Sequence, residues 1–170
     1  YEALFRPVDP SQVGLAERYL IAQFVAGLSG EPRLTDWYRA GAAGEHGFAA
    51  LAAELDKLIA EDLASGPFGD YREPGLAGES TAGERLRIDA ARAAVLGPRL
   101  TAALEHAHLL VFRPREASAA ALQRLLDAGW STTGVVTLSQ LIAFVTFQLR
   151  LVIGLGALGE HPGAGVPGAH

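Results

Sequence analysis

Residues 114–130 read Pro-Arg-Glu-Ala-Ser-Ala-Ala-Ala-Leu-Gln-Arg-Leu-Leu-Asp-Ala-Gly-Trp, and an apolar run from Val135 to Leu158 follows. Pro114 stops the helix before it, because proline carries no backbone N–H to continue the ladder. Ala117 and Ser118 open a new short helix carrying Leu122, Leu125 and Leu126, with Ser118 a ready N-cap. Gly129 closes that helix after Asp127, since glycine adopts the left-handed conformation of a C-terminal cap without strain. Ser131 or Thr132 then caps a long apolar helix. This order of helix, glycine turn and helix sets the reading of the whole chain.

Upstream of Pro114 the same periodicity continues, and no run alternates as a strand would. Ser11 is a plausible cap for a helix over Gln12–Leu28, and Ser29-Gly30-Glu31-Pro32 interrupts it. Pro32 suits the first turn of a second helix carrying Leu34, Trp37 and Tyr38. After a break at Gly41–Gly47, Phe48–Leu63 forms a third, with Leu51, Leu55, Leu58 and Ile59 on one face. Ser65–Gly83, with Gly66-Pro67, Pro74-Gly75 and Gly78, is a loop, and connections of that length are usually functional or mobile. Helices over Glu84–Leu96 and Arg99–Phe112 follow, ended or bent at Gly97-Pro98. The expectation is one all-α domain of about seven helices over residues 1–160. A frayed Gly/Pro/Ala-rich tail occupies 161–170.

Composition narrows the function. The 170 residues suit one domain, and 49% hydrophobic against 19% charged is more apolar surface than one core requires. The surplus is assigned to a subunit interface, hence a homo-oligomer. A net charge of −5 excludes nucleic acid as a partner, since phosphate backbones need clustered cations. Lys57 is the sole lysine among fourteen basic residues in an Ala- and Gly-rich chain, the composition of a GC-rich bacterial genome. Tyr1–Pro10 has no apolar core of a signal peptide, so a cytoplasmic location is expected. Gly134–Leu158 is long enough to span a bilayer, but it contains Gln140, Gln148 and Arg150. One arginine near a helix centre costs about 2.5–3.5 kcal/mol on insertion scales. A helix buried in a soluble assembly is therefore expected, with no membrane partner. Thr137, Gln140 and Gln148 lie on one stripe that suits bonds to neighbouring helices.

The segment Thr101–Leu158 resembles the alkylhydroperoxidase AhpD-like group, also called the carboxymuconolactone decarboxylase-like or peroxidase-related superfamily. The likeness rests on a helix ending at Arg113-Pro114, a short Leu-rich helix, Ala128-Gly129-Trp130-Ser131, and an apolar helix with Phe144, Phe147 and Arg150. Leu15–Gly30 is also similar to that family's first helix. The resemblance implies an AhpD-like bundle with the apolar C-terminal helix at its centre, trimers or higher oligomers, and a Glu, Cys-x-x-Cys and His relay. Laid over this chain, the two Cys positions fall at Glu31 and Leu34, the His at Tyr38 and the Glu at Tyr19. The chain has no cysteine, and only a thiolate can form and reform a disulfide. Peroxidase chemistry is thereby excluded, and no cofactor is implied.

Three functions are open at this point. One is a non-redox structural or ligand-binding family member, with a Cys-bearing AhpD-like paralogue as a conceivable partner. Another is an acid–base enzyme of decarboxylase type using Glu31 and Tyr38, supported by Tyr19. The third is a lipophilic carrier with a cavity lined by Trp37, Tyr38, Phe144 and Phe147. Glu105-His106-Ala107-His108 invites a metal, but histidines two apart on a helix point roughly 200° from each other and cannot share an ion. One packed and one exposed histidine is expected there. Gly154–Gly159 lacks the strand before it and the helix after it that a nucleotide loop needs.

Overall fold

The computed structural model describes residues 1–61 and 66–160, Glu160 by its backbone alone. The expected end of the third helix at Leu63 and the tail over 161–170 lie outside these residues. Seven α-helices occur among the described residues: α1 (Glu2–Phe5), α2 (Leu15–Leu28), α3 (Pro32–Gly41), α4 (Phe48–Glu61), α5 (Ala90–Phe112), α6 (Ala119–Asp127) and α7 (Thr132–Glu160). No strand is present among them, only one antiparallel bridge between Gly69 and Thr81. The chain is all-α.

The centre of the bundle is α2, against which α3, α4, α5 and α7 pack. Arg18–Leu28 are buried without interruption, because the sequence is apolar on every side of the helix. Small residues bring the neighbours close. A Cβ on Gly27 would lie 2.5 Å from Ile59 of α4, and one on Gly41 would lie 2.0 Å from the Tyr19 ring. Two polar side chains are drawn in. Gln23 donates to the Ala52 carbonyl and to Asp56 Oδ1 on α4. Arg18 donates to the carbonyls of Val13 and Leu4, tying the N-terminal segment to α2.

The first cap departs from expectation and the later ones keep to it: α2 begins at Leu15 with Gly14 as its N-cap, not at Gln12 with Ser11, because the Glu17 carboxylate reaches back to the Gly14 N–H. Ser118 Oγ accepts from the Ala121 N–H at the start of α6. Ser131, rather than Thr132, caps α7 by accepting from the Gly134 N–H. The bend in α5 falls at Gly97, with φ of 78°. Proline disfavours helical backbone in the residue before it, and glycine takes the positive φ freely. Arg99 fastens that bend to the rest: it donates to Glu17 at 2.6 Å and to the Gly129 and Gln12 carbonyls, and lies 3.9 Å over the Trp130 ring.

Two further expectations are corrected. The helix expected from Glu84 begins at Ala90, capped by Asp89, which accepts from the N–H groups of Ala91 and Arg92. Residues 66–88 instead run as a strap along α5, because their polar groups find partners there: Phe68 N–H on the Phe112 carbonyl, and Ile88 N–H and Arg87 on Glu105. The long helix α7 is not the centre. Leu138, Leu141, Ile142, Val145 and Leu149 are buried, but Leu151–Gly159 projects from the bundle with every residue exposed. Thr132–Gly159 is long and apolar enough to cross a membrane by length and composition alone. Of its polar stripe, Gln148 bonds another helix, accepting from the Tyr38 hydroxyl on α3.

Candidate functional site

The four residues that the resemblance singled out, Tyr19, Glu31, Leu34 and Tyr38, do different jobs. Tyr19 on α2 and Tyr38 on α3 are buried on either side of Phe5, with ring centroids 5.0 and 5.2 Å from it. Tyr1 stacks on the same Phe5 at 4.9 Å and its hydroxyl lies 3.2 Å from that of Tyr19. Trp37, on the outer side, packs against Tyr1 and Tyr38. Glu31 is the N-cap of α3, its carboxylate accepting from the Arg33 N–H at 3.3 Å. Leu34 packs half-buried against the core. The structure thus gathers Tyr19 and Tyr38 into an aromatic cluster and uses Glu31 at a helix end.

Burial, and secondarily the neighbouring Tyr19, push the Tyr38 hydroxyl well above the usual tyrosine range. The folded state therefore favours the neutral phenol. Its contribution is complete below pH of about 10, the unfolded value, and is lost as pH rises through the raised folded value. Urea midpoints are expected to fall above that pH, with a shallower alkaline fall in Tyr38→Phe. At neutral pH that variant is expected to lose about 1 kcal/mol, for the bond to Gln148. Parallel alkaline slopes in the two proteins would refute the assignment.

A second region holds the polar chemistry. A cavity of about 480 Å³ opens between the strap, α5, the turn at Pro114–Glu116 and the start of α6. Its walls carry six arginines, Arg72, Arg85, Arg87, Arg113, Arg115 and Arg124, against three carboxylates, Asp70, Glu105 and Glu116. In a chain of net charge −5, this is a local concentration of positive charge. Arg113 is 7% exposed and holds Glu116 with both ends of its guanidinium fork, while donating to the Gly83 carbonyl at 2.6 Å. Arg85 reaches the same carboxylate at 2.7 Å. Arg87 pairs with Glu105, and Arg115 lies 3.7 Å over the Tyr71 ring. Arg72 and Arg124 are exposed, with no hydrogen bond or ion pair among the described residues.

Both histidines of α5 line this cavity, which corrects the expectation of one packed and one exposed ring. His106 and His108 leave the helix on different sides, yet both are buried, at 5% and 2% exposure. His108 packs on Phe112, with centroids 4.9 Å apart. His106 is 5% exposed, and its Nε2 is buried without a hydrogen-bond partner among the described residues. Burial first, and the nearby Arg124 second, hold its pKa below the usual value, so the ring is neutral at pH 7. An orphan ring nitrogen costs about 1–3 kcal/mol unless something bonds it.

Of the aromatics expected to line a carrier cavity, Trp37 and Tyr38 pack on each other, but the four line no common pocket among the described residues. Tyr38 is core, Trp37 lies at the surface, Phe144 is half-buried, and Phe147 (62% exposed) edges a shallow groove with Leu110, Ile142 and Arg150. Gly154, Gly156 and Gly159 lie inside α7. The arginine cavity was legible only as a long loop, since its walls come from residues about 50 apart in sequence. The one local signal was Arg113 and Arg115 flanking Pro114. Set against known protein families, curated proteins and solved structures, this chain matches none of them.

Proposed function

We propose that this protein is a non-redox binding protein whose ligand is a small organic anion held in the arginine-lined cavity. The observation that carries the reading is the pairing of surplus positive charge with a buried, unpartnered His106 nitrogen on the same wall. Leu86, Leu109 and Ala102 provide an apolar side for the ligand's organic part, and the volume falls within the range of small-molecule sites. Such mixed lining is what a cleft for an organic acid requires: a few directed donors and an apolar wall. The likeness to the AhpD-like group fits a branch in which the former redox segment has become packing, as the aromatic cluster around Phe5 does here. In the same reading the projecting apolar end of α7 meets a second copy of the chain, as the surplus hydrophobicity suits.

Thermal unfolding in low salt tests the cavity directly. Succinate, benzoate and phosphate, each compared with chloride at equal ionic strength, form the first panel. At 100 times Kd a bound ligand stabilises by about 2.7 kcal/mol, which shifts the transition by several degrees. Arg124→Ala is expected to remove that shift while leaving the unliganded transition in place, because Arg124 is exposed and makes no ion pair among the described residues. A panel without any shift in the wild type beyond that of the variant would defeat the reading.

A further inference from the structure

We infer that the anion this cavity accepts carries a phosphoryl group, either as free phosphate or as a phosphomonoester; the inference rests on the reading of the cavity as an anion site. Charge is the first argument. Glu105 is taken up by Arg87, and Glu116 is shared by Arg85 and Arg113, so the carboxylates are largely occupied by their own partners. Six guanidiniums against three carboxylates leave an excess of three positive charges. A monocarboxylate neutralises one of these. A phosphomonoester carries about −1.5 to −2 at neutral pH and neutralises about half to two-thirds of them.

The second argument is the direction from which donors arrive. Ser118, Ala120 and Ala121 at the start of α6 line the cavity. In the first turn of that helix, the N–H groups of Ala119 and Ala120 have no partner among the described residues. A helix N-terminus favours an anion through both its free N–H groups and its dipole. Arg124 lies on the same helix, Arg72 on the strap, and Arg115 in the turn before α6. Donors from three segments suit a tetrahedral group, whose oxygens accept in several directions, better than a planar carboxylate.

The third argument is independent of charge. His106 Nε2 is buried, lines the cavity and has no partner among the described residues. A phosphoryl group with its second pKa near 6 can offer this nitrogen either an O–H or an oxygen, whichever the ring tautomer needs. A fully ionised carboxylate offers only an acceptor.

Calorimetric titration of the full chain in low salt and a phosphate-free buffer tests this, with phenyl phosphate, inorganic phosphate, succinate and benzoate as probes. Phenyl phosphate is expected to bind at least tenfold tighter than benzoate or succinate. Arg124→Ala and His106→Asn are each expected to weaken it about tenfold, and Arg6→Ala, at an exposed pair with Glu2 just after α1, is expected to change nothing. Inorganic phosphate matching phenyl phosphate would support the phosphoryl site and identify free phosphate as the source. Tighter binding of the ester would also support it, and would assign the apolar wall to the organic part. Carboxylates binding as tightly as phenyl phosphate would overturn the phosphoryl inference and leave the anion reading intact. If no probe binds, both fall. Because His106 is buried, circular dichroism and urea unfolding of His106→Asn accompany the titration; phenyl phosphate affinity unchanged from the wild type in both a folded His106→Asn and a folded Arg124→Ala would also overturn the inference.

Discussion

Phe5→Ala is expected to destabilise the protein by about 3–5 kcal/mol, the usual cost of emptying a buried phenylalanine site. Phe5 is 1% exposed and its ring touches three others, those of Tyr1, Tyr19 and Tyr38. Its removal forfeits the transfer free energy of the ring and leaves a void between α2 and α3. Rigid rings collapse poorly into such a void, since each tyrosine is held elsewhere: Tyr38 by Gln148, and Tyr19 by Gly41 beneath its ring. The measurement is a urea midpoint at constant slope, with Val8→Ala, a fully exposed neighbour, as the control expected to stay within about 0.5 kcal/mol. A loss below about 1 kcal/mol for Phe5→Ala would mean that residues 1–5 do not hold the aromatic cluster together.

The second large effect is expected at the cavity wall. Glu116→Ala strands Arg113, a guanidinium that is 7% exposed, and frees the strap's Arg85 from the turn at Pro114–Glu116. Breaking a buried pair from one side costs about 3–5 kcal/mol; water reaching the cavity lowers the expected loss here to about 2 kcal/mol. The exposed pair Arg87–Glu105 makes the contrast, since pairs of that kind contribute about 0–1 kcal/mol. Glu116→Ala is therefore expected to loosen residues 66–88, speeding tryptic cleavage at Arg85 and Arg87 and abolishing anion binding. Its acid behaviour follows from the same contacts. Arg113 first, and Arg85 with it, hold the Glu116 carboxyl below the usual range. The stability it contributes is complete above the unfolded pKa, about 4.3, and is lost as pH falls through the folded value. Unchanged trypsin kinetics in Glu116→Ala would show that the strap is held by its backbone contacts to α5 instead.

Much of the secondary structure was written locally. The period of Leu51, Leu55 and Leu58, the caps at Glu31, Ser118 and Ser131, and the breaks at Gly97 and Gly129 each depend on residues within a turn or two. Such signals survive without knowledge of the rest of the chain. The start of α5 was misjudged because nothing local distinguishes Glu84–Ile88 from a first helical turn. It is the distant Glu105 and Glu116 that draw Arg87, Ile88 and Arg85 into the strap.

By itself, then, the sequence determined that the chain is all-α, where most of its helices begin and end, and that no thiol chemistry is possible. Those properties follow from local backbone preferences, hydrophobic period and the absence of one element. Tertiary structure alone decided that α2 rather than α7 is central, that Tyr19 and Tyr38 share Phe5 while Glu31 does not join them, and that both His106 and His108 are covered. It alone assembled the arginine cavity. Burial and electrostatic surroundings depend on which segments meet across the fold, and residues as far apart as Arg72 and Arg124 acquire a common role only when the strap and α6 close over α5.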